Sequence, residues 1–239
     1  MHIGLLEGDE VTGRFAQVSG GYREMFAALL PEARFSFYEA HRGRLPGAAG
    51  ECDAWLCTGS RYSAYDTMPW VGALAQFVRT VHESQKPFVG ICFGHQMLAQ
   101  ALGGEVARAP QGWGVGVLDL QVLIHEDWMQ PPKSQLRLQH MHADQVQKLP
   151  PGAVVLGRSA HCEVGMFRVG KTMLGIESHP EFTPAFAEAL IRAREARIGK
   201  ERARSALQSL SEPTDGPLLG RWIARFLRAG QIPGHGDRQ

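Results

Sequence analysis

The chain has 239 residues, 44% of them hydrophobic and 21% charged, and its 25 Lys and Arg against 24 Asp and Glu leave a formal net charge of +1. This is the composition of an ordinary globular protein. The balanced charge, without a long block of one sign, excludes the electrostatic footprint of a nucleic-acid binder. No run of about 18 apolar residues offers a membrane span, and the opening MHIGLLEGDE turns acidic too soon for a signal peptide, so a cytoplasmic location is expected.

Short apolar runs alternate with longer amphipathic stretches, the pattern of a parallel sheet flanked by helices. His2 to Leu6 reads as a strand, Gly21 to Leu30 as a helix stopped by Pro31, and Arg34 to Tyr38 as the next strand. A Gly- and Pro-rich link from Arg42 to Gly50 leads to a strand from Ala54 to Thr58 that stops at Gly59-Ser60. From Pro69 to Ser84, Val71, Leu74, Phe77, Val78 and Val81 recur at helical spacing, with Pro69 suited to a first helical turn. Pro87 to Cys92 is a short apolar strand running into a helix from Phe93 to Leu102, closed by Gly103-Gly104.

Between Val106 and Val169 the segments shorten and become β-like, notably Gly116 to Leu123, Leu136 to Gln139 and Ala153 to Leu156, which predicts a small β-rich insertion. Met173 to Glu177 is one more strand. After Thr183-Pro184 the chain turns helical to about Arg197 and again from Leu218 to Leu227, where Trp222, Ile223, Phe226 and Leu227 share a face. The Arg- and Glu-rich stretch Arg192 to Arg204 reads as a solvated helix face, and Pro233 to Gln239 as a disordered tail. The expected organisation is one domain over 1–182 with a C-terminal helical extension, 183–239, packed on it.

The segment Gly90-Ile-Cys-Phe-Gly-His-Gln96 places Cys92 between a buried strand and a helix, with a glycine two residues to either side. That is a nucleophile elbow in the G-x-C-x-G form: side chains at Gly90 and Gly94 would collide with neighbouring backbone, while Cys92 is pushed out over the sheet edge. The free N–H groups of the first helical turn, that of Phe93 foremost, point where an oxyanion would form, and the helix N-terminus favours thiolate. At Glu177-Ser-His-Pro-Glu181 a later strand ends in His179 with a carboxylate two residues on. A cysteine nucleophile needs a base, and the base needs an acceptor on its other nitrogen; His179 and Glu181 fit those roles. Cys52, Cys57 and Cys162 have no positioned base and no C-x-x-C or zinc-like spacing, so they read as buried inert thiols without metal or disulfide.

Together GICFGHQMLAQALGG and GIESHPEF resemble the class I glutamine amidotransferases over about Met1 to Phe182. The resemblance implies a flavodoxin-like α/β fold, a Cys92–His179–Glu181 triad and a γ-glutamyl thioester, with no cofactor and no metal. It also implies that the Gly59 N–H, following the third strand, joins that of Phe93 in the oxyanion hole, and that Gln96 lies against the amino-acid end of the substrate. The segment His140 to Asp144 resembles a family Ser-His-Gly-Asp loop lining the glutamine site, which marks Met141, His142 and Asp144 as substrate-binding. Met141 for Ser and Ala143 for Gly depart from that pattern and predict a looser grip on free glutamine.

Many members of that family are joined to, or bound by, a synthetase that consumes the ammonia, yet nothing after Phe182 resembles a nucleotide-binding domain. The stretch Thr58 to Asp66, with Pro69-Trp70 and Gly112-Trp113, is similar to stand-alone GMP-synthase-like members, a group that includes plant γ-glutamyl peptidases. Tyr62, Tyr65 and Trp70 are then candidates to line a mouth for a larger leaving group, or are ordinary packing aromatics. The substrate expected first is glutamine, with an ammonia-accepting synthetase as possible partner. A γ-glutamyl peptide is the alternative, and a non-catalytic glutamine-binding regulatory subunit is a third.

Overall fold

The computed structural model describes residues 1–231, and the tail expected to be disordered lies outside them. Strands β1 (His2–Leu6), β2 (Arg34–Tyr38), β3 (Ala54–Cys57), β4 (Phe88–Ile91) and β11 (Met173–Ile176) pair in parallel in the order β2-β1-β3-β4-β11. This is the flavodoxin-like 2-1-3-4-5 arrangement, with helices on both faces.

Most of the inserted strands do not stand apart. Strands β10 (Met166–Val169), β9 (Ala153–Arg158), β6 (Gly114–Val122) and β7 (Gln135–His142) continue the same sheet beyond β11 in antiparallel pairing, making nine strands. Strands β5 (Glu105–Arg108) and β8 (Asp144–Lys148) form a separate antiparallel ribbon. β7 runs to His142, so the segment expected as a loop is a strand end followed by a turn at Ala143. Its eight-residue ladder with β6 holds Gly114 opposite His142.

The period-2 alternation of the central strands separates two cores. Ile3, Leu5, Ala54, Leu56, Val89, Ile91, Leu174 and Ile176 face one side, and Leu6, Trp55, Cys57, Phe88 and Met173 face the other. Helices α3 (Pro69–Glu83) and α4 (Phe93–Ala101) cover the second face, and α4 is buried nearly all round between sheet and α3. Helices α1 (Arg14–Ser19) and α2 (Tyr22–Leu29) follow β1, and α2 covers the first face.

The C-terminal helices share that first core. On α7 (Gly216–Ala229) the aromatic and aliphatic face Trp222, Ile223, Phe226 and Leu227 is buried with the sheet residues, and the Trp222 indole N–H donates to the Pro131 carbonyl at 3.1 Å. Burying each such side chain contributes about 1.5–3 kcal/mol. Thr183 caps α5 (Pro184–Ile198) by accepting from the Phe186 N–H, with Pro184 in the first turn. Gly199 at φ +93° breaks the Arg- and Glu-rich stretch into α5 and α6 (Lys200–Ser209) rather than letting it run on. Among the described residues no helix is long and apolar enough to cross a membrane.

Candidate active site

Sheet register assembles the site. Cys57 stands opposite Gly90, and Ile91 opposite Ile176, so the carboxyl ends of β3, β4 and β11 are level with one another. Gly59, Cys92 and the segment Glu177 to Glu181 leave the sheet side by side at that edge, where parallel α/β sheets bind their ligands. The Cys92 N–H donates to the Ile176 carbonyl at 2.8 Å and the Gly94 N–H to the Thr58 carbonyl at 3.2 Å, tying the three chain segments together.

Cys92 sits at φ +50°, ψ −101°, a conformation costing a non-glycine residue about 1–3 kcal/mol. The turn is as tight as the glycine spacing predicts: a Cβ on Gly90 would lie 2.2 Å from the Gly94 carbonyl oxygen, and one on Gly94 2.5 Å from that of Cys57. The Phe93 N–H is directed at the Cys92 sulfur. Among the described residues neither that N–H nor the Gly59 N–H donates to a backbone carbonyl, so both remain available to a developing oxyanion.

His179 Nδ1 lies 2.7 Å from Glu181 Oε1, and both side chains are buried. The imidazole stacks on Phe182 with centroids 3.9 Å apart and planes 11° from parallel, while its backbone N–H donates to the Gln139 carbonyl at 2.8 Å. A Cβ at Gly59 would meet His179 Cε1 at 2.7 Å, so the third-strand turn abuts the ring. His179 and Cys92 line adjoining cavities that share Ser60, Arg61, Met141, Arg194 and Arg197, and among the described residues the thiol and the imidazole make no hydrogen bond.

The electrostatics differ from the simple expectation of a thiolate. Burial pushes the Cys92 thiol well above its ordinary range, and the acids Glu177 and Glu181 push in the same direction, against the Phe93 N–H. Glu177, fully enclosed, is itself raised well above the carboxylate range by burial, which favours its neutral form. Around it His95 is lowered to about 3 by burial, and His142 is lowered by burial and by neighbouring histidines. Glu177 had no assigned role in the sequence reading. Its signal was an acidic residue placed directly after a wholly apolar strand, between Ile176 and His179.

The remaining expected site residues gather on the Cys92 side. Gln96 Nε2 donates to Glu177 Oε1 at 2.8 Å and to the Asp144 carbonyl at 3.0 Å, so it is an internal strut rather than an exposed helix residue. Asp144 accepts from the Ser63 hydroxyl at 2.5 Å, and with Met141 and His142 it lines the cavity containing Cys92. His142 lies between His140, at 3.3 Å, and the Asp144 carbonyl, at 3.2 Å. Of the three mouth aromatics only Tyr62 lines that cavity; Trp70 packs edge-on behind it and against Phe93, and exposed Tyr65 borders neither cavity. Cys52, Cys57 and Cys162 are buried free thiols, and burial pushes Cys57 up to about 12. The Arg- and Glu-rich stretch is exposed along most of its charged residues, as read, but half-buried Arg194 and exposed Arg197 also line both cavities.

The profile of the family "Glutamine amidotransferase class-I" matches residues 57–195, from the third strand through most of α5. The chain belongs to that family. It is 27% identical over 244 residues to a glutamine amidotransferase-like protein of Schizosaccharomyces pombe, covering 95% of this chain and 98% of the relative. It is 30% identical over 175 residues to gamma-glutamyl peptidase 5 of Arabidopsis thaliana, covering 68% of each. In fold it is similar to a glutamine amidotransferase from Thermotoga maritima, with a TM-score of 0.76 at 20% identity over 97% of this chain and 98% of that one.

Proposed function

We propose that this chain hydrolyses γ-glutamyl amide bonds through Cys92. The carrying observation is the level register of β3, β4 and β11, which sets Gly59, Cys92 and the His179–Glu181 pair at one sheet edge. In this reading the thiol proton passes to Nε2 of His179 as sulfur bonds to the γ-carbonyl carbon. The oxygen takes the negative charge, facing the Gly59 and Phe93 N–H groups. The C–N bond then breaks as His179 returns the proton to nitrogen, leaving a γ-glutamyl thioester and ammonia or an amine. Water attacks the thioester with His179 again as base, and glutamate leaves as the thiol is restored. Glu181 holds Nδ1 and with it the ring's orientation.

Because burial disfavours the thiolate at Cys92, this reading places the proton transfer in the attack itself rather than in a standing ion pair. In this reading the glutamyl end takes the Cys92 side, lined by Asp144 and His142, with Gln96 as the strut behind it. The matched family and the relatives named gamma-glutamyl peptidase support the amide chemistry. Treating the protein with glutamine and with γ-glutamyl peptides at enzyme-level concentration tests it. A burst of ammonia or amine, with glutamyl mass added to Cys92, is expected. Binding without any release would favour the regulatory-subunit alternative and overturn the reading.

A further inference from the structure

The two cavities carry more positive charge than glutamine requires. Their acidic lining is Asp9, Glu10 and Asp144. Asp9 is engaged by Arg61 at 2.8 Å, and Glu10 by Arg42 at 2.5 Å. Arg194 is partly buried on the wall between the cavities, and among the described residues it makes no ion pair or hydrogen bond. Arg197, one helical turn on, engages among the described residues only the face of Trp113, with its guanidinium carbon 5.6 Å from the ring centroid. A desolvated guanidinium without an anion is costly, and the burial that lowers the Arg194 pKa is the mark of that cost.

The position of these arginines selects one part of the substrate. A leaving nitrogen must face the base that protonates it, so whatever that nitrogen carries extends into the cavity lined by His179. That cavity measures about 330 Å³, far more than ammonia needs, since a water-sized molecule occupies about 30 Å³ of liquid. Its walls include Phe15, Phe182, Phe186 and Leu190, which suit an apolar side chain. Arg194 and Arg197 stand at its boundary with the Cys92 side, within reach of an acid group near the scissile nitrogen.

We infer that Arg194 and Arg197 form a carboxylate-binding subsite for the leaving group, so the preferred substrate is a γ-glutamyl amino acid or peptide with an apolar side chain and a free carboxylate. This rests on the γ-glutamyl hydrolase reading and narrows it. A planar fork of donors suits a carboxylate, and the partial burial of Arg194 strengthens the pairing while exposed Arg197 adds charge at the rim. Glutamine, whose leaving group is ammonia, leaves the subsite empty.

The test compares kcat/KM for γ-glutamyl-phenylalanine, its C-terminal amide and glutamine, in the unaltered protein, in the Arg194→Gln/Arg197→Gln double variant and in Arg192→Gln. Arg192 pairs with Glu188 on the outer face of α5 and serves as the control. The unaltered protein and Arg192→Gln are expected to prefer the free acid over its amide by about ten-fold or more, the scale of one charge-assisted hydrogen bond. The double variant is expected to bring that ratio near one, judged on protein whose thermal melt shows it folded. Equal use of acid and amide by the unaltered protein, or an unchanged ratio in the double variant, overturns the subsite while leaving γ-glutamyl hydrolysis standing. Turnover of none of the three compounds overturns both.

Discussion

Gln96 Nε2 and Glu177 Oε1 lie 2.8 Å apart in a fully enclosed space directly behind Cys92, with His95 Nε2 3.3 Å from the other oxygen of Glu177. An amide donating to a carboxyl group, with lowered-pKa imidazoles around it and, among the described residues, no lysine or arginine in contact, is an arrangement that favours a protonated acid. Burial is the first cause that raises the Cys92 thiol, and the nearby acids add to it.

The first prediction follows from linkage. The folded pKa of Glu177 is raised above its ordinary value of 4.5, so its contribution to stability is complete below about that pH and is lost as pH rises toward the folded pKa. Glu177→Gln keeps the shape and removes the titration. The stability of this variant relative to the unaltered protein should increase between pH 5 and pH 8, with a limiting slope of about 1.4 kcal/mol per pH unit. Urea denaturation at both pH values measures it, and a difference that stays constant or moves the other way would mean the acid is ionised in the folded protein.

Cys92 should react selectively rather than readily. With its pKa raised by burial, alkylation by iodoacetamide at pH 7 should be slow and should climb with pH beyond 9, whereas a glutamine-like chloroketone, placed by the site, should label Cys92 rapidly at pH 7. Cys92→Ala should abolish turnover, and Cys57→Ala and Cys162→Ala should act on stability. Peptide mapping that found the chloroketone first on Cys52 or Cys57 would mean that the nucleophile has been misassigned.

Glu181 should matter less than His179. Replacing the base by alanine removes proton transfer, with an expected loss of about 10³-fold or more in kcat. Glu181→Gln keeps an acceptor oxygen within reach of Nδ1, and about 10–10²-fold is expected. Equal and complete inactivation by both changes would show that Glu181 takes part in proton movement instead of orienting the ring.

Gly59→Ala tests the contact between the turn and the base. Its Cβ would come within 2.7 Å of His179 Cε1 and 3.3 Å of the Tyr22 hydroxyl, so the ring must shift. Displacement on the ångström scale costs about 10²-fold in rate. The thermal midpoint should move little, because the clash falls on side chains at the site. Retained activity would mean that the imidazole has free room on its Cβ-facing side.

The motifs that build the candidate site were legible in the sequence because each is a local pattern: glycines around Cys92 at a strand-to-helix change, and His179 with Glu181 at another strand end. The parallel core was legible for the same reason, its strands being short, apolar and separated by helical periods. Glu177 stood within a recognised motif, but its neutral state comes from Gln96 and His142, 81 and 35 residues away, and from enclosure that no local pattern encodes. Arg194 and Arg197 looked like solvated helix charges because charge spacing says nothing about what α5 faces. The run of β7 to His142 depends on its ladder with β6, and the six-residue α1 is too short to show a period.

The pairing of β4 with β11 joins residues 88–91 to residues 173–176, so Cys92 and His179, the proposed nucleophile and base, are brought to one edge only when strands from opposite ends of the insertion are laid together. A chain still being synthesised, or one that has lost β11, carries an ordinary accessible thiol with no base at its side. On the proposed chemistry, hydrolytic competence is conditional on completed assembly, with the central strand pair as a safety catch. It also makes two reagents report opposite states of one atom: a general alkylating agent counts molecules in which Cys92 has come into the open, while a substrate-shaped one counts those in which the catch has closed.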